Sequence, residues 1–122
     1  MAVTAGKVTL GKLDAESYER LEALGLRLEH GLREAIRQLK VKACVQRVGS
    51  MITLFFHEGP VRSWDEAARC DTSSFANWHQ QMLKQGIYWP PAQYEAAFIS
   101  VAHSESDIDR TISAARTALQ KL

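Results

Sequence analysis

Residues 86–100 read Gly-Ile-Tyr-Trp-Pro-Pro-Ala-Gln-Tyr-Glu-Ala-Ala-Phe-Ile-Ser, two apolar runs on either side of a double proline. β-Branched and aromatic residues dominate 87–89 and 97–101, which predicts two short buried strands. Between them Pro90 and Pro91 fix φ and drive the preceding residue toward extended geometry. The loop so stiffened presents Gln93, Tyr94 and Glu95. A carboxylate held on a rigid loop between core strands is a candidate site group. The plainer reading of Glu95 is a solvated charge at a loop tip.

Upstream of this stretch, Asp71 or Thr72 caps a helix whose inner face is Phe75, Trp78 and Met82, and Gly86 stands where a helix-terminating glycine belongs. Downstream, Ser104 and Asp107 resemble a capping box before a last helix whose inner face is Ile108, Ile112, Ala115 and Leu119, with Leu122 a further candidate. Residues 41–56 change period: alternation through Ala43, Val45 and Arg47, a bend at Gly49, then Met51 to Phe56. That pattern predicts two short strands as an antiparallel pair or a bulged strand. Ser63 or Asp65 starts a short helical turn after the loop residues 57–60.

Earlier still, Asp14 caps a long helix carrying Tyr18, Leu21, Leu24, Leu28, Leu32, Ile36 and Leu39 as one apolar stripe. Gly25 and Gly31 interrupt it at roughly 1 kcal/mol each relative to Ala, which points either to close packing against a neighbour or, equally, to tolerated surface glycines. Residues 2–10 are mildly helical but uncapped, like a helix whose beginning is missing or, as is commoner, a frayed N-terminus. The order is helix, helix, two strands, helix, strand, strand, helix. The predicted fold is therefore α+β: a two-layer sandwich with a small, mainly antiparallel sheet of three or four strands, covered on one face by helices.

At 122 residues, 1–122 has room for one domain, able to bury roughly two thirds of its unfolded surface without disulfide staples. A net charge of +1 creates no strong field, so neither nucleic acid nor an anionic membrane surface is an expected partner. The longest apolar run, 51–56, is too short to span a bilayer, and no charged-then-apolar leader opens the chain. Cys44 and Cys70 stand alone, which reads as reduced, structural thiols of a cytoplasmic protein.

The chemistry sought along the chain is largely missing. No glycine-rich phosphate cradle, HExxH or GxSxG pattern occurs. His30, His57, His79 and His103 show no ligand spacing, so no metal site is expected. Trp64, Trp78 and Trp89 read as core rather than as a ligand pocket. None of the lysines at 7, 12, 40, 42, 84 and 121 has the apolar strand-end setting of a Schiff-base nucleophile.

One ordered set of segments nevertheless resembles a known family: Tyr18-Glu19-Arg20-Leu21-Glu22-Ala23-Leu24-Gly25, Arg47-Val48-Gly49-Ser50-Met51, Leu54-Phe55-Phe56, Gly59-Pro60-Val61, Asp71-Thr72, Phe75, Gly86-Ile87-Tyr88, Pro91 to Ala96, Ala102-His103 and Asp107 to Ile112. Together they resemble the C-terminal small domain of glutamate-1-semialdehyde 2,1-aminomutase, a class III aminotransferase-like enzyme. The resemblance covers essentially the whole chain. It implies a homodimeric cytoplasmic enzyme of tetrapyrrole biosynthesis that uses pyridoxal 5′-phosphate and gives 5-aminolevulinate by moving an amino group from C2 to C1. It also implies a large domain, ahead of this region, that carries the Schiff-base lysine, so that no catalytic residue lies here and the chain alone is inactive, binds no cofactor specifically, and self-associates through an apolar patch near 2–10 and 90–95. Glu95 matches the glutamate of the family's Pro-Ser-Gln-Phe-Glu-Ala segment, which looks toward cofactor and substrate, and Gln93 matches its neighbour. Departures occur: the serine is Ala92 here, the phenylalanine Tyr94, and the glycine after Glu-Ala is Ala97. The alternatives are a fragment of a class III aminotransferase acting on another substrate, or a non-catalytic binding module derived from the same fold.

Overall fold

Asp14 opens the longest helix of the chain, its carboxylate accepting from the Ser17 N–H at 2.8 Å. In the computed structural model, which describes residues 1–122, that helix is α2 (Ala15–Leu39), preceded by α1 (Ala2–Gly11), which has no side-chain cap and no buried residue. Strands β1 (Cys44–Val48) and β2 (Met51–Phe55) follow, then α3 (Trp64–Ala67), α4 (Thr72–Lys84), β3 (Ala97–Phe98) and α5 (Glu105–Leu119). The caps are those the residue types demand. Ser63 caps α3, Asp71 accepts from Ser73 and Ser74 at α4, and Ser104 with Asp107 closes a reciprocal capping box at α5.

The sheet is antiparallel, in the order β1-β2-β3. Val45 pairs with Leu54 and Arg47 with Ile52, and Ala97 joins opposite Ile52. Directly paired residues share a face, so these side chains point to the helices while Gln46, Val48, Met51, Thr53 and Phe98 point away. The two-residue turn between β1 and β2 needs a positive φ, and Gly49 supplies it at 56°. The α+β architecture with three strands and helices on one face is the one expected.

Eighteen buried residues form the core, from Leu24, Leu28 and Leu32 of α2 through Val45, Ile52 and Leu54 to Phe75, Trp78, Met82, Ile108 and Leu119. Trp78 stands at its centre, edge-on to Phe56 at 6.2 Å and to Trp89 at 5.3 Å. Both glycines of α2 mark close approach: a Cβ on Gly25 would come within 2.8 Å of the Gly49 carbonyl, and one on Gly31 within 2.4 Å of Ile112. Tyr18 departs from the predicted stripe and is exposed.

Residues 87–89 do not form the strand expected of them. Gly86 turns the chain at φ 76°, the Ile87 N–H donates to the Met82 carbonyl at the end of α4, and the Trp89 carbonyl bonds the His79 ring at 2.8 Å. Their backbone is thus tied to α4, while Pro90 and Pro91 offer no N–H to a ladder. The predicted strand at 97–101 shortens to two residues. Ile99 still donates to Ser50, but Ser100 turns away with its N–H on the His103 ring. No helix is long and apolar enough to cross a membrane.

Candidate functional site

The loop at 90–95 is held from two sides. Gln93 turns inward and is only 3% exposed: its Nε2 donates to the Leu54 carbonyl at 2.8 Å, and its Oε1 accepts from the Phe56 N–H at 3.1 Å. The side-chain amide thus pairs with both free backbone groups at the end of β2, as a further rung of strand would. Both ends of the amide are occupied, which makes Gln93 the anchor of the loop. Sequence reasoning placed it on the outer side beside Glu95; a polar type between polar neighbours carries no signal of burial.

Glu95 is exposed and lies at the outer end of the same turn. Its N–H donates to the Ala92 carbonyl at 3.1 Å, and its Oε2 accepts from the Ala92 N–H at 3.2 Å. Thr53 Oγ1 reaches the Glu95 carbonyl at 3.5 Å, tying this end to the outer face of β2. Oε2 alone bonds within the chain, on a residue that is exposed. Tyr94, between the two, packs its ring on Trp64 at 5.2 Å, both rings being exposed. Trp64 is therefore a surface residue beside the loop, whereas Trp78 and Trp89 are core as expected. The position of Trp64 one residue after a helix cap was the only hint in sequence.

A second arrangement fixes the hairpin of β1 and β2 against α2. Arg47, with a side chain 9% exposed, grips Glu22 with Nη1 at 3.0 Å and Nη2 at 2.8 Å, Glu29 with Nε at 2.8 Å, and the Gly49 carbonyl with Nη1 at 2.8 Å. Hydrogen bonds from Arg47 hold both carboxyls below their ordinary range, with Arg33 adding to the effect on Glu29. This clamp was not foreseen. Its only signal was Gly25, whose missing side chain leaves room for the turn.

The remaining reactive side chains stay apart. No three His, Cys, Asp or Glu side chains gather as a metal site. Cys44 donates to the Gly59 carbonyl at 2.9 Å and Cys70 is buried; burial pushes both thiols up, away from the thiolate a nucleophile needs. All six lysines are exposed.

No family model matches the chain. Curated relatives do. The glutamate-1-semialdehyde 2,1-aminomutase of Sorangium cellulosum (strain So ce56) is 63% identical over 119 residues, which cover 98% of this chain and 27% of that protein. A counterpart in Thermus thermophilus is 48% identical over 121 residues, covering 98% and 28%. The chain thus spans little more than a quarter of the length of these relatives, and it matches their C-terminal part. Among solved structures, an omega-transaminase from Sphaerobacter thermophilus superposes with a TM-score of 0.74 at 26% identity over 89% of this chain and 25% of its own. A glutamate-1-semialdehyde-aminomutase from Pseudomonas aeruginosa PAO1, in complex with PMP, gives 0.80 at 22% identity over 89% and 24%, a likeness of fold.

Proposed function

We propose, from the premise that this chain is homologous to the C-terminal part of the glutamate-1-semialdehyde 2,1-aminomutases, that it serves as the small domain of such an enzyme. The identity of 63% across nearly the whole chain is the observation that carries this reading. In it, the whole protein is a cytoplasmic homodimer that converts glutamate 1-semialdehyde to 5-aminolevulinate, and a larger domain binds the cofactor.

Pyridoxal 5′-phosphate, when bound, supplies the electron sink for amino transfer. In this reading the larger domain holds it and supplies the lysine it bonds to; the six lysines of this chain are all exposed. The contribution of this chain is the loop at 90–95. Gln93 fixes the loop to β2, the turn at Ala92 holds one oxygen of Glu95, and the other oxygen is presented as an acceptor for a substrate ammonium or a transferred proton. Gln93 acts as a positioning residue and Glu95 as the group facing substrate.

The test is a chimera in which this chain replaces the matching C-terminal segment of the Sorangium enzyme. It should form 5-aminolevulinate from glutamate 1-semialdehyde, and Glu95→Gln should lower turnover roughly 100-fold, the scale of a lost acid–base group. An inactive chimera beside an active Sorangium control would refute the reading. A chimera that instead exchanges amino groups with external amino donors would move the assignment to another class III aminotransferase, the reading that Ala92 and Tyr94 favour. The 122 residues alone should be inactive. Borohydride reduction after adding pyridoxal phosphate should mark their lysines indiscriminately.

A further inference from the structure

The turn that carries Glu95 is held from two sides. The Glu95 N–H on the Ala92 carbonyl closes a β-turn whose central residues are Gln93 and Tyr94. Gln93 is drawn into the core by β2, while Tyr94 goes the other way and packs on Trp64. The two rings meet at 5.2 Å with an interplanar angle of 56°. Trp64 is 68% exposed and Tyr94 46%, so this is a contact on the surface and not an extension of the core.

Trp64 is itself fixed to the sheet. Gln46 of β1 bonds both backbone groups of Val61: its Oε1 accepts from the Val61 N–H at 2.6 Å and its Nε2 donates to the Val61 carbonyl at 2.9 Å. The chain then enters α3, where Ser63 Oγ accepts from the Glu66 N–H at 3.3 Å and the Glu66 carboxylate accepts from the Arg62 N–H at 2.5 Å. Trp64 is the first residue of that doubly capped turn. On the same outer face Gln46 pairs with Thr53, and Thr53 reaches the Glu95 carbonyl. Two neighbouring side chains of one sheet face therefore tie down the segment bearing Trp64 and the segment bearing Glu95. The aromatic contact joins the two segments at their outer ends.

We propose that Trp64 is a positioning residue for Glu95, acting through Tyr94; the inference rests on the reading above, in which Glu95 faces substrate. A packed aromatic ring is rigid, since only its two χ angles can vary, so a ring held on Trp64 fixes the backbone of Tyr94. The peptide that follows sets the heading of Glu95. Without Trp64 the tyrosine ring is released, the turn loosens on its outer side, and the Glu95 carboxylate spreads over several headings while Gln93 stays anchored. Catalytic groups are sensitive to small displacements of this kind. The strength of one exposed ring pair sets the scale of the loss, roughly threefold to tenfold in rate.

In the Sorangium chimera, Trp64→Ala should lower kcat roughly threefold to tenfold and leave KM within about twofold. Trp64→Phe keeps a ring on Tyr94 and should restore most of the rate. The comparison that decides is made in the Glu95→Gln background, where Trp64→Ala should cost less than about twofold because the group it positions is gone. The full loss repeated there overturns the proposal, since Trp64 then acts without Glu95. An unchanged kcat in Trp64→Ala overturns it, and so does a raised KM at unchanged kcat, the sign of direct substrate contact. Hydrogen exchange supplies a reading that needs no activity. In the 122-residue chain, Trp64→Ala should speed exchange of the Glu95 amide roughly threefold to tenfold, while the Phe56 amide on Gln93 stays protected. Unchanged exchange at Glu95 overturns the proposal even beside an active chimera, and then only the functional reading survives. Faster exchange at Phe56 as well makes Trp64 a general prop of the fold and overturns it too. Faster exchange at Glu95 alone, beside an inactive chimera, keeps the positioning and removes the reaction. Trp64 is exposed, so its alanine variant should keep the circular dichroism of the chain. Should it misfold, Tyr94→Ala supplies the same readings from the other side of the contact.

Discussion

Gln93 shows how much a single side chain contributes when it completes a backbone ladder. Its amide is the partner of the Leu54 carbonyl and the Phe56 N–H, both at the buried end of β2. Replacing it with a methionine of similar length leaves those groups buried without partners, and an unsatisfied buried polar group costs about 1–3 kcal/mol. Gln93→Met should therefore lower the unfolding free energy by about 3 kcal/mol, read from urea titration, and Gln93→Glu should not restore it because a carboxylate cannot donate to the Leu54 carbonyl. A loss below about 0.5 kcal/mol, the range of an ordinary surface change, would mean that the loop is not anchored this way.

At the scale of elements, α2 and α5 meet where Gly31 receives Ile112. A Cβ on Gly31 would lie 2.4, 2.6 and 2.7 Å from Ile112 Cδ1, Cγ1 and Cγ2, so the whole branched end of the side chain obstructs it. Alanine favours the helix over glycine by up to about 1 kcal/mol, whereas forcing an extra methyl into a packed seam costs about 1–3 kcal/mol. Packing wins, and Gly31→Ala should destabilise by about 1 kcal/mol. Ile112→Val removes Cδ1, the nearest atom, so the double variant should be more stable than the two single losses predict. Strict additivity in that double-mutant cycle would show the helices separated here. Arg27 to Asp109, at 2.6 and 2.8 Å, and Arg116 to Gln38 line the same seam from solvent, where ion pairs contribute less.

Across the whole molecule, seven carboxylates held by hydrogen bonds are shifted in one direction, downward. Backbone and side-chain hydrogen bonds at the caps hold Asp14, Asp71 and Asp107 below 3.8. Arg47 holds Glu22 and Glu29 below 4.5, Arg27 lowers Asp109, and Arg37 with Gln38 brings Glu34 from 4.5 to about 2. A carboxyl with a depressed folded value stabilises the fold above its unfolded value and loses that contribution as pH falls through the folded one. Stability should therefore be level above 4.5 and fall on acidification toward about 2, where Glu34 takes up its proton. Urea midpoints at neutral pH, at 4.5 and near 2 measure this, and a midpoint unchanged between the last two would contradict it. The exposed members should lose most of their share in high salt.

The caps at Asp14, Asp71 and Ser104, the stripe of α2, the Gly49 turn and the α+β class were all legible in the chain itself. Each rests on a local rule: a short polar side chain satisfies the first N–H groups of a helix, and apolar spacing reports which side is buried. Three outcomes were decided by tertiary structure alone. Residues 87–89 have strand-like types, yet their hydrogen bonds go to α4. Gln93 is polar, yet it lies within the core. Val48, Met51 and Phe98 read as ordinary strand residues, yet they surface together. In every case the deciding quantity is which distant group lies within bonding distance, and no spacing along the sequence encodes that.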